Sequence, residues 1–241
     1  MTTTIALAKL TLRQYGSRLG LLAFAGILAM LPWIIAIVYW GARQWEPDIV
    51  PAAQFADALF ANFTLSLLYP VVALLLTASA LREEIQNGTM PYLWTKPVSR
   101  PSIVVGKFAG AVAIALVITV LSSLGAVGAM TADVSMLGAQ LGALVPTVFA
   151  YGALFFALGT LLERGLLWGF VFLLGWEEAL SRVSTLATQV SIRHYSEELA
   201  RALQGGASAL DPLASLLVLI GVGVALLTLS ALRFTRMEFV D

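Results

Sequence analysis

LREEIQNGTMPYLWTKPVSRPSIVVGK, residues 81–107, is the one long polar interruption in the apolar first two thirds of the chain. It carries Arg82, Glu83, Glu84, Lys96, Arg100 and Lys107 between two runs of membrane-spanning length. A charge at the centre of a bilayer helix costs about 2.5–3.5 kcal/mol. The stretch therefore lies outside the hydrocarbon, and the runs on either side of it are separate spans.

Working outward, a bilayer core about 30 Å thick demands roughly 20 apolar residues of a helix. Six runs approach that test: 19–40, 58–81, 102–130, 139–162, 165–177 and 212–232. The fifth is short, because Glu177 and Glu178 arrive soon after Gly165, so it tilts, runs on, or forms half of a broken element. The 241 residues are 59% hydrophobic and 12% charged, with a mean hydropathy of +0.89, far from the make-up of a soluble domain. A formal net charge of +0 argues against nucleic-acid binding, and the absence of cysteine removes disulfides and thiolate metal sites. The first apolar run is long enough to span and is followed by no small-residue cleavage site, so it is expected to be retained.

The basic residues orient the chain. With the N-terminus inside, Lys9, Arg13, Arg18, Arg82, Lys96, Arg100, Lys107, Arg164, Arg233 and Arg236 fall on the inner side, and only Arg43, Arg182, Arg193 and Arg201 on the outer. Residues 4–18 alternate apolar Ile5, Ala8, Leu12 and Tyr15 with Lys9, Arg13 and Arg18, which suits a helix lying in the interface; a frayed tail is the alternative. Pro32, Pro70 and Pro146 fall inside spans, where they are either hinges or the ordinary prolines of membrane helices. Gly106/Gly110 and Gly165/Gly169 have the spacing that lets a neighbouring helix approach closely.

Two polar segments are candidates for function. Residues 177–211 read as an external insert of two amphipathic helices, with Glu178/Arg182 and Glu197/Arg201 at i, i+4 spacing. Leu186, Val190, Ile192, Tyr195 and Leu199 are expected to cover the outer mouth of the bundle, leaving the charged face in water. His194, Glu197 and Glu198 could share a face and hold a cation. A single histidine and no second motif favour a solvated helix face. A hydrolase reading lacks a nucleophile with orienting partners. The second segment, 82–101, combines Ile85, Tyr92, Leu93 and Trp94 with the turn signal Asn87-Gly88 and with Pro91, Pro97 and Pro101, and Ser102 is placed to cap the next span. It is either a helix–turn–helix that docks a partner or an anchoring loop. The residues alone do not separate the two.

The run Glu84-Ile85-Gln86-Asn87-Gly88-Thr89-Met90, then Lys96-Pro97-Val98-Ser99-Arg100, then Gly106-Lys107-Phe108, resembles the cytosolic signature of ABC-2 type transporter permeases, the membrane subunits of a class of ATP-binding cassette exporters. The resemblance extends over the chain as one transmembrane domain, 1–241. It implies an all-α membrane protein with six transmembrane helices, an N-terminal amphipathic elbow helix (4–18), a cytosolic coupling helix within 82–101, and an external helical insert (177–211) before the last span. It further implies that Glu83, Glu84, Asn87, Gly88 and Thr89 lie in or beside the contact with a separate cytosolic ATPase subunit, which would carry ATP and Mg while this chain holds no cofactor. A second permease copy or paralogue, surrounding membrane lipid, and a bacterial or archaeal plasma membrane with both termini cytoplasmic are also implied. The uncharged, mildly polar spans suggest export of an amphipathic or hydrophobic substrate. A membrane anchor or assembly factor that binds a cytosolic partner without transport is the alternative.

Overall fold

The computed structural model describes residues 10–11, 19–46, 48–81, 99–131, 133–180 and 185–236. Most of the expected elbow (4–18), and of the coupling segment (82–101) all but Ser99, Arg100 and Pro101, lie outside them. Among the described residues every regular element is a helix.

Helix α1 is Leu19–Trp45 and α2 is Ala52–Thr77; α3 is Arg100–Thr131 and α4 is Val134–Leu161. A short helix α5 begins as Gly165–Val171 and continues through a wider turn, Phe172–Leu180. Two small helices follow, α6 (Thr185–Val190) and α7 (Ile192–Leu203), before the last long helix, α8 (Pro212–Arg236). Five of these, α1 to α4 and α8, are long and apolar enough to cross a membrane. The fifth run of the sequence is the exception: at 1.5 Å per residue, 165–180 rises only about 24 Å, short of the roughly 30 Å of a bilayer core.

Helix α4 is the centre of the bundle, packing against α2, α3, α5, α7 and α8. Small residues permit this. A Cβ on Gly159 of α4 would stand 2.0 Å from the Ala78 carbonyl oxygen at the end of α2, and one on Gly165 would stand 2.4 Å from Gly159 Cα. One at Gly169 would strike Leu74 at 2.2 Å, so the Gly165/Gly169 pair does seat α5 against its neighbours. The α1–α3 contact is made differently. Trp33 fills the space over Gly125 and its indole N–H donates to the Leu121 carbonyl at 2.9 Å, while Trp40 donates to the Ala129 carbonyl at 3.1 Å.

Local chemistry sets the helix boundaries. Helix α3 starts at Arg100, two residues earlier than the cap expected at Ser102, because Pro101 sits in a first turn that needs no N–H from it. The Ser99 carbonyl accepts the Ser102 and Ile103 N–H groups. Asp133 caps α4, its Oδ1 accepting from the Ser135 and Met136 N–H groups at 2.9 and 3.2 Å. In α2 the stretch Phe60–Leu68 widens to π geometry just ahead of Pro70. Thr64 and Ser66 donate their hydroxyls to the carbonyls five residues back, Leu59 and Ala61, so the widened spiral takes up the disturbance that a proline otherwise imposes as a kink.

The two ends of the bundle are distinct. Arg100, which follows the 82–98 segment, donates to the Thr235 carbonyl at 2.8 Å and ties α3 to the end of α8. We call this the loop end. The opposite end, where α6 and α7 sit, is the insert end.

Candidate functional site

The residues carried over to ATPase coupling, Glu83, Glu84, Asn87, Gly88 and Thr89, lie outside the described residues. What is described at the loop end is their frame: Leu81 is buried in the turn that follows α2, and Ser99 stands exposed just before α3. Lys107, about two turns further into α3, is completely buried, as are Val104 and Ala111 one turn to either side.

At the insert end the geometry is complete enough to read atom by atom. Ser191 is the N-cap of α7, in extended conformation, and accepts the His194 N–H. The fully buried Glu177 carboxylate, near the end of α5, accepts the Ser191 hydroxyl and the Ile192 N–H (3.1 Å), two groups at the very start of α7. The Tyr151 hydroxyl, from α4, lies beside the same carboxylate. Glu177 thus holds three elements together, and its charge sits where the positive end of the α7 dipole favours it.

A ladder of ion pairs continues from there. Arg193 bonds Glu178 at 3.0 Å and Glu197 at 2.6 Å, and Arg201 bonds Glu197 at 3.2 Å and Glu198 at 2.6 Å. Burial disfavours the charge of Arg193, but Glu197 and Glu178 outweigh it and raise its pKa. Burial also works against charge on Glu198. The Ser208 hydroxyl, the Ala209 N–H and Arg201 overcome it and hold the carboxyl below the usual glutamate range. Helix α7 closes with Gly205 at φ +74, with Gly206 N–H to the Arg201 carbonyl and Gly205 N–H to the Ala202 carbonyl, a glycine-terminated end in which only that residue type sits without strain.

The insert was therefore only half legible beforehand. Ile192 and Leu199 are buried as expected, and Glu197/Arg201 pair, but Val190 is exposed. Glu178 bonds Arg193, and Arg182, its expected partner, lies outside the described residues. The expectation that the charged face stays in water is corrected: Glu177 and Glu198 are buried, and Arg193 is largely so. The Ser208 hydroxyl, the Ala209 N–H and Arg201 offset the desolvation of Glu198, and Glu197 and Glu178 that of Arg193, while the Ser191 hydroxyl and the Ile192 N–H satisfy the Glu177 oxygens. Glu197 and Glu198, once read with His194 as a possible cation face, spend their oxygens on arginine and backbone. The available signals were Ser191 before an amphipathic run and Gly205-Gly206 after it, which bracket α7.

Five membrane-length helices around a buried centre, with a polar cap at one end, define a multi-pass, all-helical membrane protein. A family model for ABC-2 family transporter proteins matches residues 25–239, nearly the whole chain, and the protein belongs to that family. No curated protein matches it. Membership makes the chain a permease of the ATP-binding cassette class, a transmembrane subunit of a family that works with an ATP-binding cassette ATPase.

Proposed function

We propose that this chain is the non-catalytic membrane subunit of an exporter, that it works as a dimer with a second copy or a paralogue, and that it recruits its ATPase through residues 82–101. The family match over 25–239 carries this reading. Within it, Glu83, Glu84, Asn87, Gly88 and Thr89 form the coupling contact, both termini are cytoplasmic, and α5 completes a six-span bundle. ATP and Mg bind the partner. Closure of the paired ATPases moves the coupling segments, and the two bundles rock between inward and outward access.

The tie between Arg100 and the Thr235 carbonyl supports a mechanical role for the loop end, since movement imposed on the start of α3 reaches α8 directly. The largely uncharged spans support a cargo with sizeable apolar surface, an amphipathic or hydrophobic molecule. Sidedness is testable with single cysteines in a chain that has none of its own. Ser99 and Val134, both exposed, lie at opposite ends of α3 and α4. An impermeant thiol reagent applied to intact cells should label Val134→Cys and spare Ser99→Cys; the reverse pattern overturns the orientation.

A further inference from the structure

Apart from the Tyr151 hydroxyl, beside Glu177, the buried side-chain atoms without a hydrogen-bond partner among the described residues belong to three residues. They are the Ser122 hydroxyl of α3, both ends of the Gln140 amide of α4, and the Ser215 hydroxyl of α8. All three residues are 0% exposed, and their helices pack pairwise against one another.

Two close contacts fix their heights. Val112 of α3 meets Gly152 of α4, and the two helices run in opposite directions, so ten residues further on Ser122 lies level with Gly142. Gly223 of α8 meets Phe149, and α8 runs parallel to α4, so eight residues back Ser215 lies level with Leu141. At 1.5 Å per residue the three positions fall within about 3 Å of one level, roughly 10 Å inside the insert end of α4. Leu203 of α7 lies over that level, since a Cβ on Gly142 would stand 3.0 Å from its Cδ1.

The two serines are unpaired by orientation and not by lack of choice. Thr77, Thr119, Thr147, Thr160, Ser196 and Ser230 all donate to the carbonyl four residues back in their own helix. Ser122 and Ser215 leave that option unused. Gln140 is bordered by the small buried residues Ala139, Gly142 and Ala143, which leave room beside its amide. Unpaired buried polar groups are costly and rare, and three of them on three helices at one level point to a shared guest.

The chemistry of the groups selects that guest. Full burial keeps lipid and any second chain away from them. The amide N–H groups need an acceptor, which a metal ion is not, and the amide oxygen needs a donor. A small neutral molecule that both donates and accepts serves all three, and internal water does so with typically about three partners. We propose that Ser122, Gln140 and Ser215 form an internal hydration site, at which α3, α4 and α8 are joined through ordered water. Nearer the loop end the same helices meet directly, at Gly152 and Gly223.

The test is water-edited solid-state NMR on the full chain in phosphatidylcholine bilayers, with glutamine nitrogen and leucine carbon labelled and the signals assigned through backbone connectivity. Polarisation passed from water should reach the Gln140 amide about as fast as the amide of exposed Gln54, and far faster than the methyls of buried Leu144, one turn away. Ser122→Ala and Ser215→Ala should each slow that transfer, because each takes one partner from the water. Gln140→Met leaves water and both hydroxyls short of a partner, and should lower the folded-to-unfolded ratio in a detergent titration roughly tenfold. Transfer to Gln140 no faster than to Leu144 overturns the proposal. So does a Gln140→Met protein more stable than wild type, the result expected of an amide that is simply unpaired. Transfer that neither serine substitution alters overturns the shared site; should Gln140→Met fail to fold, the serine variants decide.

Discussion

Helices α1 and α8 are the most hydrophobic of the five long spans and the least buried, with 22% of each span's most apolar stretch inside the protein; α2 and α4 are the least hydrophobic of the five and stand at 72% and 67%. In a soluble protein the order would be reversed. Here hydrocarbon surrounds the bundle, apolarity reports exposure to lipid, and the interior is selected for close approach instead. The contrast is visible residue by residue: α4 offers Gly152 and Gly159 to its neighbours, whereas Gly20, Gly26 and Gly41 of α1 have open space around them.

That contrast breaks most sharply at glycine. Gly159→Ala places a methyl against the Ala78 backbone carbonyl, which cannot swing aside as a side chain can. We expect a loss of at least about 3 kcal/mol, at or above the upper end for overpacked sites, read as lowered thermal stability in detergent. Gly26→Ala in α1 should leave the same measurement unchanged or slightly raised, since nothing lies within 4 Å. Equal effects at the two glycines would dissolve the distinction between the helices.

The next effect belongs to the insert end, where polar groups do the fastening. Glu177→Ala leaves the Ser191 hydroxyl and Ile192 N–H without their acceptor and should cost about 2–4 kcal/mol. Faster amide exchange at the start of α7 is the accompanying sign, and Glu177→Gln should restore part of the loss. A smaller effect is pH-dependent. Glu198 titrates lower in the folded protein than in an unfolded chain, where glutamate lies near 4.3. Its contribution is therefore full above about pH 4.3 and is lost as pH falls through the folded value. Exchange at Ser208 to Leu210 should quicken over that acid range in wild type, and Glu198→Gln should flatten the dependence. Smallest of all, Ile37→Ala on the lipid-facing side of α1 should shift stability by no more than about 0.5 kcal/mol.

Much of the bundle was legible because one rule governs it: a span needs about 20 apolar residues, and charges must leave. The runs at 19–40, 102–130, 139–162 and 212–232 all became long helices, each running past the expected limit at one end or both. The second began earlier than expected, at Ala52, because Asp57 is carried at the insert end, where it accepts from Gln204 at 3.3 Å. Glu177 was misread for the opposite reason. Hydropathy treats a carboxylate as a stop, and only the fold brings Ser191 and the Ile192 N–H to it from 14 and 15 residues away. Which charges of an insert are buried depends on partners that no local pattern names.

The account rests most heavily on the coupling segment, and Glu84→Lys tests it most directly. The chain is purified from its native membrane in wild-type and Glu84→Lys forms with matched thermal stability, and the ATP-binding cassette ATPase that co-purifies is quantified. A reversed charge in a desolvated contact costs several kcal/mol, so we expect the ATPase to be lost from the mutant by at least about tenfold. Wild-type levels of bound ATPase on a folded Glu84→Lys protein would contradict the account and leave residues 82–101 as an anchor.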